Sequence, residues 1–219
     1  MKKIILVVAL VIGIVGASGA VWALTIYSGS LSTPIGITGS NQWAIDVSLS
    51  WEVNDQINPG YWTYTYNFSA PKDLSHIIIE VSPSFTSSDI YSQNPGDKEV
   101  GIFVSSGNDK PNPNMPGPLY GLKFEPFSGN PVSFVLVTER APVWGDFYAA
   151  DGSVPHSDPK LWNYAWNAGY LAADPTDPAS SGSINYHILV PDTFGVPEPG
   201  MLLLLGAGLL GLVAIRRRK

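Results

Sequence analysis

The chain has 219 residues, a formal net charge of −6 and no cysteine, and 22 glycines and 19 prolines cut it into short segments. Without cysteine there can be no disulfide, zinc–thiolate or iron–sulfur centre and no thiol nucleophile, so stability must come from core burial or from ions. The acidic balance excludes nucleic acid as a partner.

Lys2 and Lys3 open the chain with positive charge, residues 4–15 form a dense apolar run, and small residues follow. That order is the pattern of a secretory signal peptide, predicted as a helix over residues 1–23 and implying passage through the Sec export machinery. Cleavage is expected after Ala23, at the end of Val21-Trp22-Ala23, with Ala20 as the alternative point and an uncleaved anchor as the alternative use.

Residues 24–195 then form the ectodomain, whose 172 residues are enough for one domain with its own core. It holds six basic and 17 acidic residues, a net charge of −11, because the other basic residues lie at the two chain ends. Residues 44–53 alternate, with Ile45, Val47, Leu49, Trp51 and Val53 on one face and Asp46, Ser48, Ser50 and Glu52 on the other. This predicts a strand with one buried face. After a turn at Asn58-Pro59-Gly60, residues 61–69 alternate again and place Trp62, Tyr64, Tyr66 and Phe68 together. Such a row serves core packing or, less commonly, stacks on sugars.

Further strands are predicted at 74–82, 100–104, 119–124, 131–138, 143–152, 161–169 and 185–191, with a short helix as the alternative at 161–169. Residues 83–98, 105–118 and 172–183 read as loops rich in Gly, Pro, Asn, Asp and Ser. Many short strands without an amphipathic helix predict an all-β ectodomain, a β-sandwich of which a jelly roll is one form.

Three histidines, His76, His156 and His187, occur, and none pairs at the spacing of a zinc protease. A glycosidase pair drawn from Glu52, Glu80 and Glu139 would need a set separation in space, and Glu52 falls on a polar strand face. Asp146, Asp151 and Asp158 cluster with His156 within 13 residues, which could supply oxygens to calcium, but the spacing is not that of an EF-hand. No catalytic residue, metal or cofactor is therefore expected.

The tail, residues 196–219, has three parts. Val196-Pro197-Glu198-Pro199 is followed by an uncharged apolar run at 200–215 and then by Arg216, Arg217, Arg218 and Lys219. As a helix the run would span about 24 Å, short for a hydrocarbon core of about 30 Å but lengthened by snorkelling of the basic end. It is predicted to cross the membrane with the basic cluster on the cytoplasmic side. Within it, Gly206, Gly208 and Gly211 spell a dinucleotide fingerprint, but a Pro-rich stretch precedes them and no acidic residue follows, so they read as small residues of a membrane helix.

A V-P-E-P motif, a glycine-containing apolar segment and a terminal arginine cluster, in that order, resemble the PEP-CTERM sorting signal of exported proteins in bacteria that make exopolysaccharide. The resemblance covers 24 of the 219 residues. It implies export, transit through the inner membrane, recognition by an exosortase and processing near Pro197-Glu198-Pro199, with the cell surface or extracellular matrix as destination. The expected protein is non-enzymatic and associated with exopolysaccharide. A glycan-binding module is the alternative, and a secreted hydrolase comes third.

Overall fold

In a computed structural model, residues 25–94, 99–107, 111–125, 127, 129–151 and 161–193 are described. Ala23 with the rest of the predicted signal segment, and the tail 196–219, lie outside them. The described chain is all-β. In order the strands are β1 (Ile26–Ser32), β2 (Ile37–Gly39), β3 (Ser48–Asn54), β4 (Trp62–Ser69), β5 (His76–Glu80) and β6 (Ile90–Asn94), followed by β7 (Glu99–Phe103), β8 (Leu119–Phe124) and β9 (Val132–Thr138). The last four are β10 (Ala141–Gly145), β11 (Phe147–Ala150), β12 (Tyr164–Asn167) and β13 (Ile188–Thr193). Two single 3-10 turns, Asn41–Trp43 and Ser87–Asp89, complete the elements, and no described helix is long and apolar enough to cross a membrane.

Three antiparallel sheets result: β1-β3-β4-β9-β6, β2-β12-β11-β5-β8-β7, and the ribbon β10-β13. The consecutive strands β3–β4, β7–β8 and β11–β12 are in-sheet neighbours, which departs from the interleaved order of a jelly roll. The period-2 pattern explains the first sheet. Register pairs Leu49 with Phe68, Trp51 with Tyr66 and Val53 with Tyr64, and all six side chains are buried. They join Ile77, Ile79, Leu122, Phe124 and Phe147 of the second sheet in one core cluster. Phe124 and Phe134 meet between the two sheets with ring centroids 4.8 Å apart.

The second sheet is buried on both faces. Ile78 and Tyr148 point away from the shared core and form a second cluster with Phe103, Met115, Leu119 and Tyr170. The Tyr148 hydroxyl donates to the Pro113 carbonyl at 2.6 Å, tying residues 111–118 to this outer face. Burial on both sides is why β5 reads as an unbroken isoleucine run rather than as an alternation.

Several predicted elements differ in their bounds. The strand expected at 44–53 begins only at Ser48, because Asp46 takes φ 58° and turns Ile45 out to 63% exposure. Residues 143–152 form two strands rather than one. The chain leaves the ribbon at Asp146 and enters the second sheet as β11. Asn185 and Tyr186 have φ 48° and 65°, so the last strand starts at Ile188. The loop expected at 83–98 contains β6, a polar edge strand paired only with β9. Of the alternatives at 161–169, the strand is formed, as β12.

The turn between β9 and β10 is held by a buried cation. Arg140, 2% exposed, donates through Nε to Asp89 at 2.9 Å and through Nη2 to the Ser84 carbonyl at 2.8 Å, and lies 5.6 Å from the Phe85 ring centroid. The guanidinium holds the Asp89 carboxyl below its usual range.

Gly29 sits opposite Trp51 in the β1–β3 register, and the indole fills the space a side chain would need. A Cβ there would lie 2.3 Å from Trp51 Cζ2 and 2.4 Å from the Gly182 carbonyl. Gly29→Ala is therefore expected to destabilise the domain by about 3 kcal/mol, measured as a lower urea midpoint with an unchanged m-value.

Candidate functional site

The break between β10 and β11 exposes one carboxylate to the interior. Asp146 is held by its backbone on both sides: its N–H donates to Glu80 Oε2 at 2.8 Å and its carbonyl accepts from the Glu80 N–H at 2.9 Å. Its Oδ1 accepts from Asn167 Nδ2 at 2.6 Å, and Asn167 is fixed in turn by the Phe147 N–H at 2.9 Å. The residue is 5% exposed. Burial pushes the Asp146 carboxyl up to about 6, with the Asn167 hydrogen bond and the neighbouring imidazole acting the other way.

That imidazole belongs to His187, fully buried at the entrance to β13. Its backbone N–H donates to the Ile184 carbonyl at 2.9 Å, and its Nδ1 lies 3.2 Å from the same oxygen. The ring lies directly against Gly169, where a Cβ would come within 2.7 Å of His187 Cε1. The other ring nitrogen, Nε2, is buried and makes no hydrogen bond. It faces Asp146 Oδ1 at 3.6 Å and Asp174 Oδ1 at 3.5 Å. Asp174 lies in the 172–183 loop with its side chain 46% exposed, so the cluster has a buried floor and an open rim. One donor atom from each of Asp146, Asp174 and His187 lies within 4.8 Å of the others, a grouping that can hold a metal ion.

Sequence proximity did not reveal this group. Asp146 and Asp151 are separated by the four residues of β11, about 16 Å of extended chain, and Asp151 binds Asn163 instead, accepting from its Nδ2 at 2.5 Å. Burial raises the Asp151 carboxyl as well. His156 and Asp158 lie outside the described residues. Asp174 and His187 reach Asp146 only through the pairing of β10 with β13 and the loop before it, and no local spacing signals that.

The other candidates are dispersed. Glu52 is exposed on the first sheet and Glu80 lies on the second, while Glu139 follows β9. Tyr64, Tyr66 and Phe68 of the aromatic row are buried in the core and offer no face to a sugar. Tyr61 and Tyr91 do reach the surface side by side, ring centroids 4.5 Å apart, beside a cavity of about 310 Å³ also lined by Asp89 and Glu139. The sorting residues Val196, Pro197, Glu198 and Pro199 and the basic Arg216, Arg217, Arg218 and Lys219 lie outside the described residues.

Among known families, residues 195–219 match the PEP-CTERM protein-sorting motif. The chain carries a PEP-CTERM sorting motif, which supports export and sorting by an exosortase. No curated protein matches the chain, and no solved structure does.

His76 is packed into the interior and hydrogen-bonded. It is 3% exposed, its Nε2 lies 3.1 Å from Asn112 Oδ1, and its ring is 6.3 Å from that of Tyr148. Burial, and then the charge of Lys123, lower its pKa to about 4. Between the ordinary value near 6.5 and this value, the unfolded chain takes up a proton that the native chain does not. Stability from this residue is therefore full above pH 6.5 and falls as pH drops toward 4. Asp146, raised by burial, contributes with the opposite sign over much of the same window. Substitution separates the two. His76→Gln keeps a donor for Asn112, and its stability loss between pH 7 and 4.5 is expected to be about 2.5 kcal/mol smaller than the parent's, measured by urea unfolding at both pH values.

Proposed function

We propose that the protein is an exported, non-enzymatic component of the cell surface or extracellular matrix, delivered by its signal peptide and sorted by an exosortase. In this reading the β-sandwich ectodomain is the cargo. The apolar run 200–215 holds the chain in the inner membrane with Arg216–Arg218 and Lys219 on the cytoplasmic side, and the exopolysaccharide is its surroundings. The match of residues 195–219 to the sorting motif carries the reading. The acidic ectodomain supports it, since self-repulsion favours solubility outside the cell over attachment to anionic lipid. The scatter of Glu52, Glu80 and Glu139 speaks against a glycosidase pair.

Processing can be read from the mass of the C-terminal peptide of protein recovered outside the cell. An end within residues 197–200 is expected, and an intact Lys219 would reduce the tail to a plain anchor. Replacing Pro197, Glu198 and Pro199 by alanine should retain the chain in the membrane fraction and leave the melting temperature of the folded domain unchanged.

A second reading, glycan binding, is favoured by the Tyr61–Tyr91 pair. Tyr91 is 64% exposed, and the adjacent cavity offers the hydroxyl of Ser88 and the carboxylate of Glu139 beside two rings. Aromatic faces with nearby polar groups suit a sugar ring. Tyr91→Ala is expected to cut retention on immobilised exopolysaccharide at least tenfold without changing the melt. Equal retention of variant and parent would remove this reading and leave the first intact.

A further inference from the structure

We propose that Asp146, Asp174 and His187 bind a divalent transition-metal cation of the zinc type, fastening the 172–183 loop to the junction of β10 and β11.

The chemistry begins with the tautomer of His187. Its Nδ1 faces the Ile184 carbonyl, which can only accept, so Nδ1 carries the hydrogen. In the neutral ring Nε2 then presents a lone pair. That lone pair is aimed at two carboxylate oxygens, Asp146 Oδ1 at 3.6 Å and Asp174 Oδ1 at 3.5 Å, which are also acceptors. Three acceptors converge on one point, and the nitrogen among them is fully buried without a hydrogen bond. A cation at that point gives the nitrogen a partner and offsets the charge of the two carboxylates. An Nδ1–H donating to a backbone carbonyl while Nε2 faces the metal is the arrangement by which ligating histidines are oriented.

The distances select the class of ion. A tetrahedral zinc with bonds of about 2.0–2.1 Å places its ligands about 3.4 Å apart, close to the observed 3.5 and 3.6 Å. Calcium requires roughly six to eight oxygens at longer range, whereas an imidazole nitrogen suits zinc and its neighbours. The half-exposed Asp174 leaves the rim open for entry and for a water as fourth ligand. The support around the site is built: Asn167 holds Asp146, and Gly169 admits the ring. In a chain without cysteine such an ion would replace a disulfide as a crosslink, joining Asp146 to residues 28 and 41 positions further on. The site stands whether or not the tail is processed.

The test uses the full-length chain, freed of metal by chelation and dialysis and titrated with zinc by calorimetry and thermal melting. One zinc per chain is expected, with a rise of about 5–10 °C in Tm at a hundredfold excess over Kd. Calcium at the same concentration should leave Tm unchanged. Asp174→Asn, at an exposed loop position, its folding checked by circular dichroism, should weaken zinc binding at least tenfold and abolish the rise. His187→Gln should do the same, its folding checked by circular dichroism. Absence of stoichiometric zinc binding, equal binding by Asp174→Asn, or an equal rise with calcium would each overturn the proposal.

Discussion

Phe134 stacks on Tyr66 with centroids 5.0 Å apart and meets Phe124 of the opposing sheet at 4.8 Å. This three-ring contact is the constraint on which the rest of the domain depends. It joins the inner faces of the two large sheets in a chain that has no covalent crosslink to do so. Tyr66 extends the constraint to the third sheet. Its buried hydroxyl donates to the Leu189 carbonyl at 2.9 Å and fixes the height of β13 against the first sheet. Tyr64, two residues earlier, does the same for the β9–β10 turn through the Arg140 carbonyl at 2.9 Å. Two tyrosines on one strand thus bury their rings in the core and use their hydroxyls to position the ribbon β10–β13. A phenylalanine would pack as well but lose both hydrogen bonds, at a cost of about 1 kcal/mol each.

The position of the ribbon decides the carboxylate–histidine group. His187 precedes β13 by one residue and Asp146 follows β10 by one, so the pairing of these strands brings the two side chains together. An acidic domain would ordinarily keep such carboxylates in water. Here Asp146 is buried because it occupies the single residue between two strands that belong to different sheets, with its backbone engaged by Glu80. Its surroundings contrast with those of Asp89, whose partner Arg140 supplies a full positive charge at 2.9 Å. The Arg140 hydrogen bond lowers the half-buried Asp89 carboxyl, whereas burial among amides raises those of Asp146 and Asp151.

How much of this is legible in the sequence follows from the range of each interaction. The core faces of β3 and β4 are read from alternation because a one-sided strand writes its burial into its own residues, while β9 reads as a near-continuous apolar run. β1 carries exposed serines around a half-buried Gly29, and β6 is polar on an edge, so neither shows an apolar period. The break at Asp46 depends on a left-handed residue that apolar spacing does not encode, and the two-strand split at Asp146 depends on which sheet each half joins. The aromatic row allows two readings, core or sugar platform, and the core takes Tyr64, Tyr66 and Phe68, while Trp62 stays half-buried against Tyr27. The Asp146–Asp174–His187 group is the least legible feature, since its three residues are spread over 42 positions and meet only through sheet pairing. The sorting motif is the most legible, because it acts as a linear sequence and all its parts are contiguous.

That contrast bears on how one chain can hold an address and a fold without conflict. β13 ends at Thr193, and the matched motif begins at residue 195. The last strand carries Leu189, which anchors Tyr66, and follows His187, so the domain is complete only when residues up to 193 are present. Loss of everything from residue 197 onward removes none of these partners. An element that closes a core must keep its backbone in the hydrogen-bonded ladder. Placing domain and motif end to end, with no shared residue, leaves the sheet pairing independent of the sorting motif.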